Sequence, residues 1–121
     1  ILPIIVSGAP RDILDNYRIK FNIYKIYGFV AEEDNDRFSG KVLHNYGYNK
    51  NLKVEEICKE MGKKPKIAFG DSVSDFEMLS KAEKSIIVCE NRKHPKFKAD
   101  GTIEHNMSSV EVRRLLLQVL S

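Results

Sequence analysis

The sequence predicts an α/β fold in which a mainly parallel sheet is covered by helices on both faces. Three observations support this fold class. Short apolar runs bounded by turn residues alternate with segments of helical periodicity, as in sheets whose strands are joined by crossover helices. A polar turn between two neighbouring runs adds a β-hairpin. The length of 121 residues and a hydrophobic share of 42% suit one domain with its own core.

The first half of the chain predicts a strand, a helix and the hairpin. Pro10 fits the first turn of the helix, where its missing N–H is not needed, and the helix extends to about Asn22. The polar run 32–36 forms the hairpin turn. The apolar runs predicted as strands in this half are 1–6, 26–31 and 38–43.

The next segment predicts a helix with one apolar face. Asn51 caps its start and Gly62 stops it in the favoured position just after the last turn. The apolar residues recur with the spacing of one helical face. They are Val54, Ile57, Cys58 and Met61.

The remaining chain alternates strands and helices. Ser74 with Glu77, and Ser108 with Glu111, have the spacing of capping boxes and predict two helix starts. The first of these helices ends near Ala82, and the second continues to the end of the chain. The runs predicted as strands are 66–69, 85–89 and 101–104.

Charge and composition argue against several classes of partner. The formal charge is only +3, and the Lys-rich segments 63–66 and 92–96 lie at turns, so they are predicted as solvated loops and not as a nucleic-acid surface. Cys58 and Cys89 are predicted as buried free thiols, which favours a reducing, cytoplasmic location. No apolar run approaches the length of a membrane span, and the first residues lack a signal-peptide pattern.

Two carboxylates point to a metal site at one edge of the sheet. Asp71 follows a buried strand, and Asp75 lies where the next helix begins. Ligands of open α/β sheets bind outside the carboxyl ends of the strands, and paired carboxylates fit a hard cation such as Mg²⁺. The alternative is that both residues only cap and charge a helix N-terminus.

Three further groups at the same edge suit a phosphate. Ser7, with the N–H groups of Gly8 and Ala9 at a helix start, fits a phosphate oxygen, and Lys50 adds a positive charge. Together with Mg²⁺, these are the requirements of phosphoryl transfer. Taken singly, Ser-Gly after a strand is an ordinary turn, and a lysine beside a helix start is an ordinary solvated side chain.

The order of these motifs resembles the haloacid dehalogenase superfamily. The run IIVSG at 4–8, Lys50 at a helix start and the run IAFGDSVSD at 67–75 are similar to its second, third and fourth motifs. The hairpin strand FSGKV at 38–42 resembles the strand before the lysine in phosphoserine-phosphatase-like members. The resemblance covers about residues 1–90 and implies a Rossmann-like core.

The resemblance also implies a role for each motif residue in a Mg²⁺-dependent phosphatase that works through an aspartyl-phosphate. Ser7 would bind the transferring phosphate, and Lys50 would neutralise the aspartyl-phosphate and its nucleophile. Asp71 would ligate Mg²⁺, and Asp75 would support the metal through water or through Lys50. Lys53 is an alternative for the lysine, although its spacing fits less well. The substrate would be a small phosphorylated molecule.

The chain departs from the family in one motif. The family's first motif, Asp-x-Asp after an apolar strand, carries the nucleophile and the general acid. The letters DND at 34–36 do not replace it, because they lie in the hairpin turn and follow Ser7. In the family the nucleophile strand lies between the strand of Ser7 and the strand of Asp71, so its absence would expose two buried strand edges.

We therefore expect residues 1–121 to be a single domain that forms the C-terminal portion of a longer protein. The first strand and a cap domain would lie upstream, and the isolated chain would have no phosphatase activity. The unpaired sheet edges would also allow a homo-oligomer to form. Since specificity in this family comes largely from the cap, the sequence leaves the particular substrate open.

Two other functions remain open at this point. The chain can be a non-catalytic binding or structural module that has lost the nucleophile. A phosphate-accepting receiver domain also combines acidic residues, Ser or Thr, and Lys on a parallel sheet. In receiver domains the acidic pair lies near the start of the chain and the lysine near its end, which is the reverse of the order here.

Overall fold

A computed structural model of the chain describes residues 2–47, 49–89 and 97–121. These ranges contain six strands and four α-helices, and one 3₁₀ turn precedes α3. The elements are β1 (Ile4–Pro10), α1 (Arg11–Asp15), β2 (Lys25–Asp34), β3 (Arg37–His44), α2 (Lys50–Met61), β4 (Ile67–Gly70), the 3₁₀ turn (Val73–Asp75), α3 (Phe76–Ser80), β5 (Lys84–Cys89), β6 (Gly101–Glu104) and α4 (Ser109–Leu120). The Lys-rich segment 92–96 lies outside the described residues.

The chain consists of two compact units, Ile1–Val54 and Glu55–Ser121, with the boundary inside α2. The first unit contains one three-stranded sheet in the order β1-β2-β3, and the second contains another in the order β4-β5-β6. Strand β1 is an edge strand of the first sheet, and β4 is an edge strand of the second. The prediction of one domain over 1–121 stays a prediction.

The sheet of the first unit contains one parallel and one antiparallel pair of strands. β1 and β2 are parallel, and Val6 lies opposite Tyr27. β2 and β3 are antiparallel and form the predicted hairpin. Its turn consists of Asn35 and Asp36 alone, with φ values of 51° and 64°, which suits the tight hairpin turns that match strand twist. The predicted turn over 32–36 was therefore too long, because β2 continues through the acidic run.

The helix after β1 is much shorter than the sequence suggested. α1 has 5 residues and ends at Asp15. Turns follow, and Asn22 adopts a left-handed φ of 52° that a helix does not contain. Tyr17 and Phe21 are exposed. The prediction of a helix to Asn22 is wrong because most helical stability comes from packing an apolar face, and this face stays exposed.

The sheet of the second unit is parallel throughout its described strands. The three strands predicted in this half are confirmed, and so are the α/β class and the parallel pairing. The core centres on Leu79, Ile87 and Cys89. Helix α4 packs on β6, where an ideal Cβ at Gly101 would lie 3.3 Å from Leu115 Cδ1. Burying apolar side chains between a sheet and a helix is the main source of stability in such a layer.

Helices α2 and α4 largely follow their sequence signals. Val54 and Ile57 are buried on the predicted face of α2, and Gly62 ends the helix with a φ of 68°. The helix begins at Lys50, so Asn51 lies inside the first turn and the prediction that it caps the helix is wrong.

The start of α4 has the predicted cap. Ser108 Oγ accepts a hydrogen bond from the N–H of Glu111 at 3.2 Å. α2 and α4 have 12 residues each, whereas a membrane span needs about 20. Among the described residues, no helix is long and apolar enough to cross a membrane.

Candidate functional site

Ser7 lies at the middle of β1, where an irregular stretch begins. The register between β1 and β2 shifts between Val6 and Pro10, so the residues between them leave regular pairing, as in a β-bulge. Ser7 is half-buried, and its Oγ accepts a hydrogen bond from the N–H of Ala9 at 3.0 Å. The prediction that these groups stand at a helix start is wrong, because α1 begins at Arg11.

Gly28 makes room for this bulge. An ideal Cβ at Gly28 would lie 2.8 Å from Arg11 Cα and 3.0 Å from the carbonyl oxygen of Ala9. Both contacts are with backbone, which cannot rotate away as a side chain can. Glycine inside a strand often marks such a close approach of another backbone. The path of the chain after Ser7 therefore depends on the absence of a side chain on β2.

A second close contact joins the bulge to the loop before α2. An ideal Cβ at Gly8 would lie 3.0 Å from Gly47 Cα. The loop is shaped locally by Asn45, whose Oδ1 accepts a hydrogen bond from the N–H of Gly47 at 3.0 Å. The contact therefore joins the backbone beside Ser7 to Gly47, three residues before Lys50 in the sequence.

The structure distinguishes the two candidate lysines of α2. Lys50 is the first residue of the helix and is half-buried. Lys53 lies one turn later, with its Nζ 4.3 Å from the centre of the Tyr27 ring and 5.7 Å from that of Tyr46. Both distances suit cation–π interactions. The structure thus places the charge of Lys53 beside two rings, and the choice of Lys50 for an anion site stays a prediction.

Asp75 organises the loop at the carboxyl end of β4. Its side chain is buried, with only 2% of the residue exposed. Its Oδ2 accepts hydrogen bonds from the N–H groups of Asp71 at 3.0 Å and Ser72 at 3.3 Å, and from Ser72 Oγ at 3.4 Å. Such donors offset the cost of burying a carboxylate. Asp71 itself is exposed, so the loop presents one carboxylate outward and anchors the other inside.

Gly70 is required by this arrangement. An ideal Cβ at Gly70 would lie 2.7 Å from Asp75 Cβ and 3.1 Å from its Oδ2. The capping box also belongs to Asp75, because the N–H of Ser72 donates to its carboxylate. The predicted box between Ser74 and Glu77 is wrong: the helical turns begin earlier, with the 3₁₀ turn that starts at Val73.

An exposed ion pair lies elsewhere in the second unit. Lys81 Nζ donates to the carboxylate of Glu55. This hydrogen bond and the attraction of the Lys81 charge hold the pKa of Glu55 below its ordinary value of 4.5. The pair joins the second half of α2 to the residue just after α3. It is therefore a structural contact within the second unit.

The predicted site residues fall into two groups. Ser7, Gly8 and Lys50 belong to the first unit, and Asp71 and Asp75 belong to the second. The structure joins Asp71 to Asp75 through a hydrogen bond, and it brings Gly8 against Gly47 in the loop before Lys50. That the two groups form one site stays a prediction. Among residues 2–47, 49–89 and 97–121, no group of three or more His, Cys, Asp or Glu side chains could hold a metal ion.

The chain belongs to the haloacid dehalogenase-like hydrolase family, which matches residues 34–110. This match includes Lys50, Asp71 and Asp75 and lies downstream of Ser7. No curated protein sequence matches the chain.

Solved structures of phosphoserine phosphatase have the same fold. An apo form is 21% identical, with a TM-score of 0.69 over 96% of this chain and 57% of that chain. A substrate-bound complex is 22% identical, with a TM-score of 0.70 over 98% and 56%. A phospho-aspartyl intermediate analogue is 21% identical, with a TM-score of 0.66 over 96% and 55%. The chain thus spans little more than half the length of these phosphatases.

The sequence indicated the charged residues but not the glycines, asparagine and tyrosines that form the contacts around them. Gly28 carried a usable signal, because a glycine inside a predicted strand often marks a close backbone approach. Gly47 lies in the run 46–49, whose composition indicates only a loop, and Asn45 carried no separate signal. Tyr27 and Tyr46 carried no signal for their contacts with Lys53, since nothing in the local sequence joins β2 to α2.

Proposed function

We propose that this chain is the core of a Mg²⁺-dependent phosphohydrolase that cleaves small phosphomonoesters through an aspartyl-phosphate. The observation that carries the proposal is the loop after β4. There Asp75 is buried and bonded to the backbone of Asp71, so that the Asp71 carboxylate faces solvent at the carboxyl end of a parallel strand. Membership of a hydrolase family supports the same reaction class.

The carboxylates of this loop fit Mg²⁺. This ion takes oxygen ligands and is commonly bound by one or two carboxylates together with waters and substrate phosphate. Asp71 would be the direct ligand. Asp75, whose Oδ2 already accepts three hydrogen bonds within the loop, would support the metal through water or through Lys50. When bound, Mg²⁺ would supply charge neutralisation at the phosphate oxygens.

In the first unit, the bulge and the helix start would hold the phosphate. Ser7 Oγ accepts from Ala9, which leaves its O–H to donate to a phosphate oxygen. The N–H of Gly8 is a second proposed donor, and Lys50 would balance the negative charge of the phosphate and of the attacking carboxylate. We propose that a carboxylate outside these 121 residues is the nucleophile, since Asp-x-Asp occurs here only at the hairpin turn.

Two further features belong to the proposal. Cys58 and Cys89 are free thiols, which supports a reducing, cytoplasmic location. The outer edges of β1 and β4 would pair with the strand that carries the nucleophile, and in its absence they would favour a homo-oligomer.

The test is hydrolysis of p-nitrophenyl phosphate by the full-length natural protein. We expect turnover that requires Mg²⁺ and that Asp71→Asn lowers in kcat/KM by about 100-fold or more, because several kcal/mol of charge stabilisation would be lost. Asp12→Asn is the matched control: Asp12 is an exposed carboxylate on α1, and its change should leave kcat/KM unaltered. Turnover that needs no metal, or that survives Asp71→Asn, would contradict the proposal.

The second candidate is a non-catalytic module, favoured by the lack of a usable Asp-x-Asp motif in the described residues. It would bind Mg²⁺ or phosphate without turning over a substrate. A full-length protein that binds inorganic phosphate but hydrolyses no phosphomonoester, with or without Mg²⁺, would favour this reading over the enzyme.

A further inference from the structure

Lys53 and two tyrosines form a cluster that no part of the proposed chemistry uses. Lys53 Nζ lies 4.3 Å from the centre of the Tyr27 ring and 5.7 Å from that of Tyr46. The two rings meet edge to face, with centres 5.9 Å apart. All three residues are half-buried, and cation–π attraction strengthens when the cation is partly removed from water. We call these three residues the aromatic clamp.

Each member of the clamp adjoins a segment of the proposed phosphate site. Tyr27 lies opposite Val6, the residue before Ser7. Tyr46 precedes Gly47, whose backbone meets Gly8. Lys53 lies on α2 one turn after Lys50, and its N–H and that of Leu52 bond back to Asn49. The clamp therefore joins the strand beside the bulge, the loop and the first turn of the helix.

We propose that Lys53 is a positioning residue whose ammonium group, held over Tyr27 and Tyr46, fixes Lys50 and the Gly8–Gly47 contact relative to Ser7. The identity of the anion rests on the proposed function, but the positional claim does not. Lys53 would act by its placement, since its Nζ lies over the rings of Tyr27 and Tyr46.

The clamp can be broken at Tyr27, where the lysine charge is kept, or at Lys53, where it is removed. Tyr27→Leu removes a ring face, whereas Tyr27→Phe keeps the ring and is the matched control. Lys53→Met removes the charge at similar side-chain length, and Lys53→Arg restores a cation that can lie over the rings. Melting temperatures of all four variants identify any that fail to fold. If the variant at one of the two positions, 27 or 53, does not fold, the variant at the other still tests the clamp.

The first readout is NMR of the chain without ligand. The α-protons of Gly8 and Gly47 should give a nuclear Overhauser effect, and the ε-protons of Lys53 should be shifted upfield by the tyrosine rings. We expect Tyr27→Leu and Lys53→Met to lose or weaken the Gly8–Gly47 effect and to speed amide exchange in the first turn of α2. Tyr27→Phe and Lys53→Arg should retain the wild-type values.

The second readout is titration with inorganic phosphate, followed at the amides of Gly8 and Lys50. Tyr27→Leu should raise the dissociation constant by about fivefold, the factor that corresponds to one cation–π contact, and Tyr27→Phe should leave it unchanged. If charge alone mattered, Lys53→Met would weaken binding while Tyr27→Leu would not, and the proposal would be overturned.

The two claims fail in different ways. A wild-type chain that binds no phosphate counts against the proposed phosphate site, and the ligand-free measurements still decide the clamp. The positioning role would be overturned if folded Tyr27→Leu and Lys53→Met kept both the Gly8–Gly47 nuclear Overhauser effect and the wild-type amide exchange. This holds whatever the phosphate titration gives.

Discussion

The Asp71 loop and the Ser7–Lys50 region carry complementary parts of the proposed chemistry but are built differently. In the loop, the hydrogen bonds run from the N–H groups of Asp71 and Ser72 to Asp75, which lies four and three positions further along the chain. In the first unit, the contacts are between distant segments: Gly8 with Gly47, and Tyr27 with Lys53. A locally closed loop keeps its geometry wherever its strand and helix form, whereas the other region depends on the tertiary packing of its unit.

Between the two candidate regions, the larger loss of stability is expected from Gly70→Ala. The new methyl group would lie 2.7 Å from Asp75 Cβ, and Asp75 cannot move without releasing the N–H groups of Asp71 and Ser72. We expect the free energy of unfolding to fall by about 3 kcal/mol, the upper end for overpacking. Urea denaturation measures it, and a loss below about 1 kcal/mol would mean that the loop is not tightly closed.

Asp75→Asn tests the same loop without adding volume. The amide is nearly isosteric but carries no charge, so the bonds from Asp71 and Ser72 lose their charge assistance. A loss of about 1–2 kcal/mol in the free energy of unfolding follows. Asp71→Asn is the control, because Asp71 is exposed and should change stability by less than about 0.5 kcal/mol. Equal losses in the two variants would remove the structural distinction between these carboxylates.

Gly8→Ala makes the corresponding test in the first unit. The added methyl group would lie 3.0 Å from Gly47 Cα, but that neighbour belongs to a loop and can shift by a few tenths of an ångström. We expect a smaller loss, about 1 kcal/mol, accompanied by changes in the NMR signals of the first turn of α2. A loss as large as that of Gly70→Ala would show that the two regions are equally rigid.

The smallest effect is expected at Glu55, and it depends on pH. Lys81 lowers the folded-state pKa of Glu55 below 4.5, so the ion pair stabilises the folded chain above that value and is lost as the pH falls through the lowered pKa. Glu55→Gln should slightly lower the melting temperature at pH 7, and the difference should disappear once the pH is below the lowered pKa of Glu55. Glu60→Gln, an exposed change on the same helix, is the control and should show no such trend.

The same contrast explains what the sequence could predict. The hairpin, the apolar face of α2, strand β6 and the cap at Ser108 follow from short-range patterns, and the structure confirms them. The charged residues of the candidate site were named from motif order. Within the Asp71 loop, only the exact cap was misplaced, by two residues.

The larger errors have a common physical origin, which is packing that local sequence does not encode. The helix after β1 was expected to reach Asn22 on the strength of an apolar face, yet that face is exposed and the helix ends at Asp15. The contacts of Gly28, Gly47 and Tyr27 were not predicted because their partners are distant along the chain. Tertiary contacts of this kind override local propensity.

Binding of Mn²⁺, a paramagnetic substitute for Mg²⁺, is the most direct test of the proposed metal site in this chain. We expect small amounts of Mn²⁺ to broaden the amide signals of Asp71 and its neighbours first, excess Mg²⁺ to restore them, and Asp71→Asn to abolish the effect while Asp12→Asn does not. Broadening centred elsewhere, or unchanged in Asp71→Asn, would contradict the assignment of the Asp71 loop as the metal site.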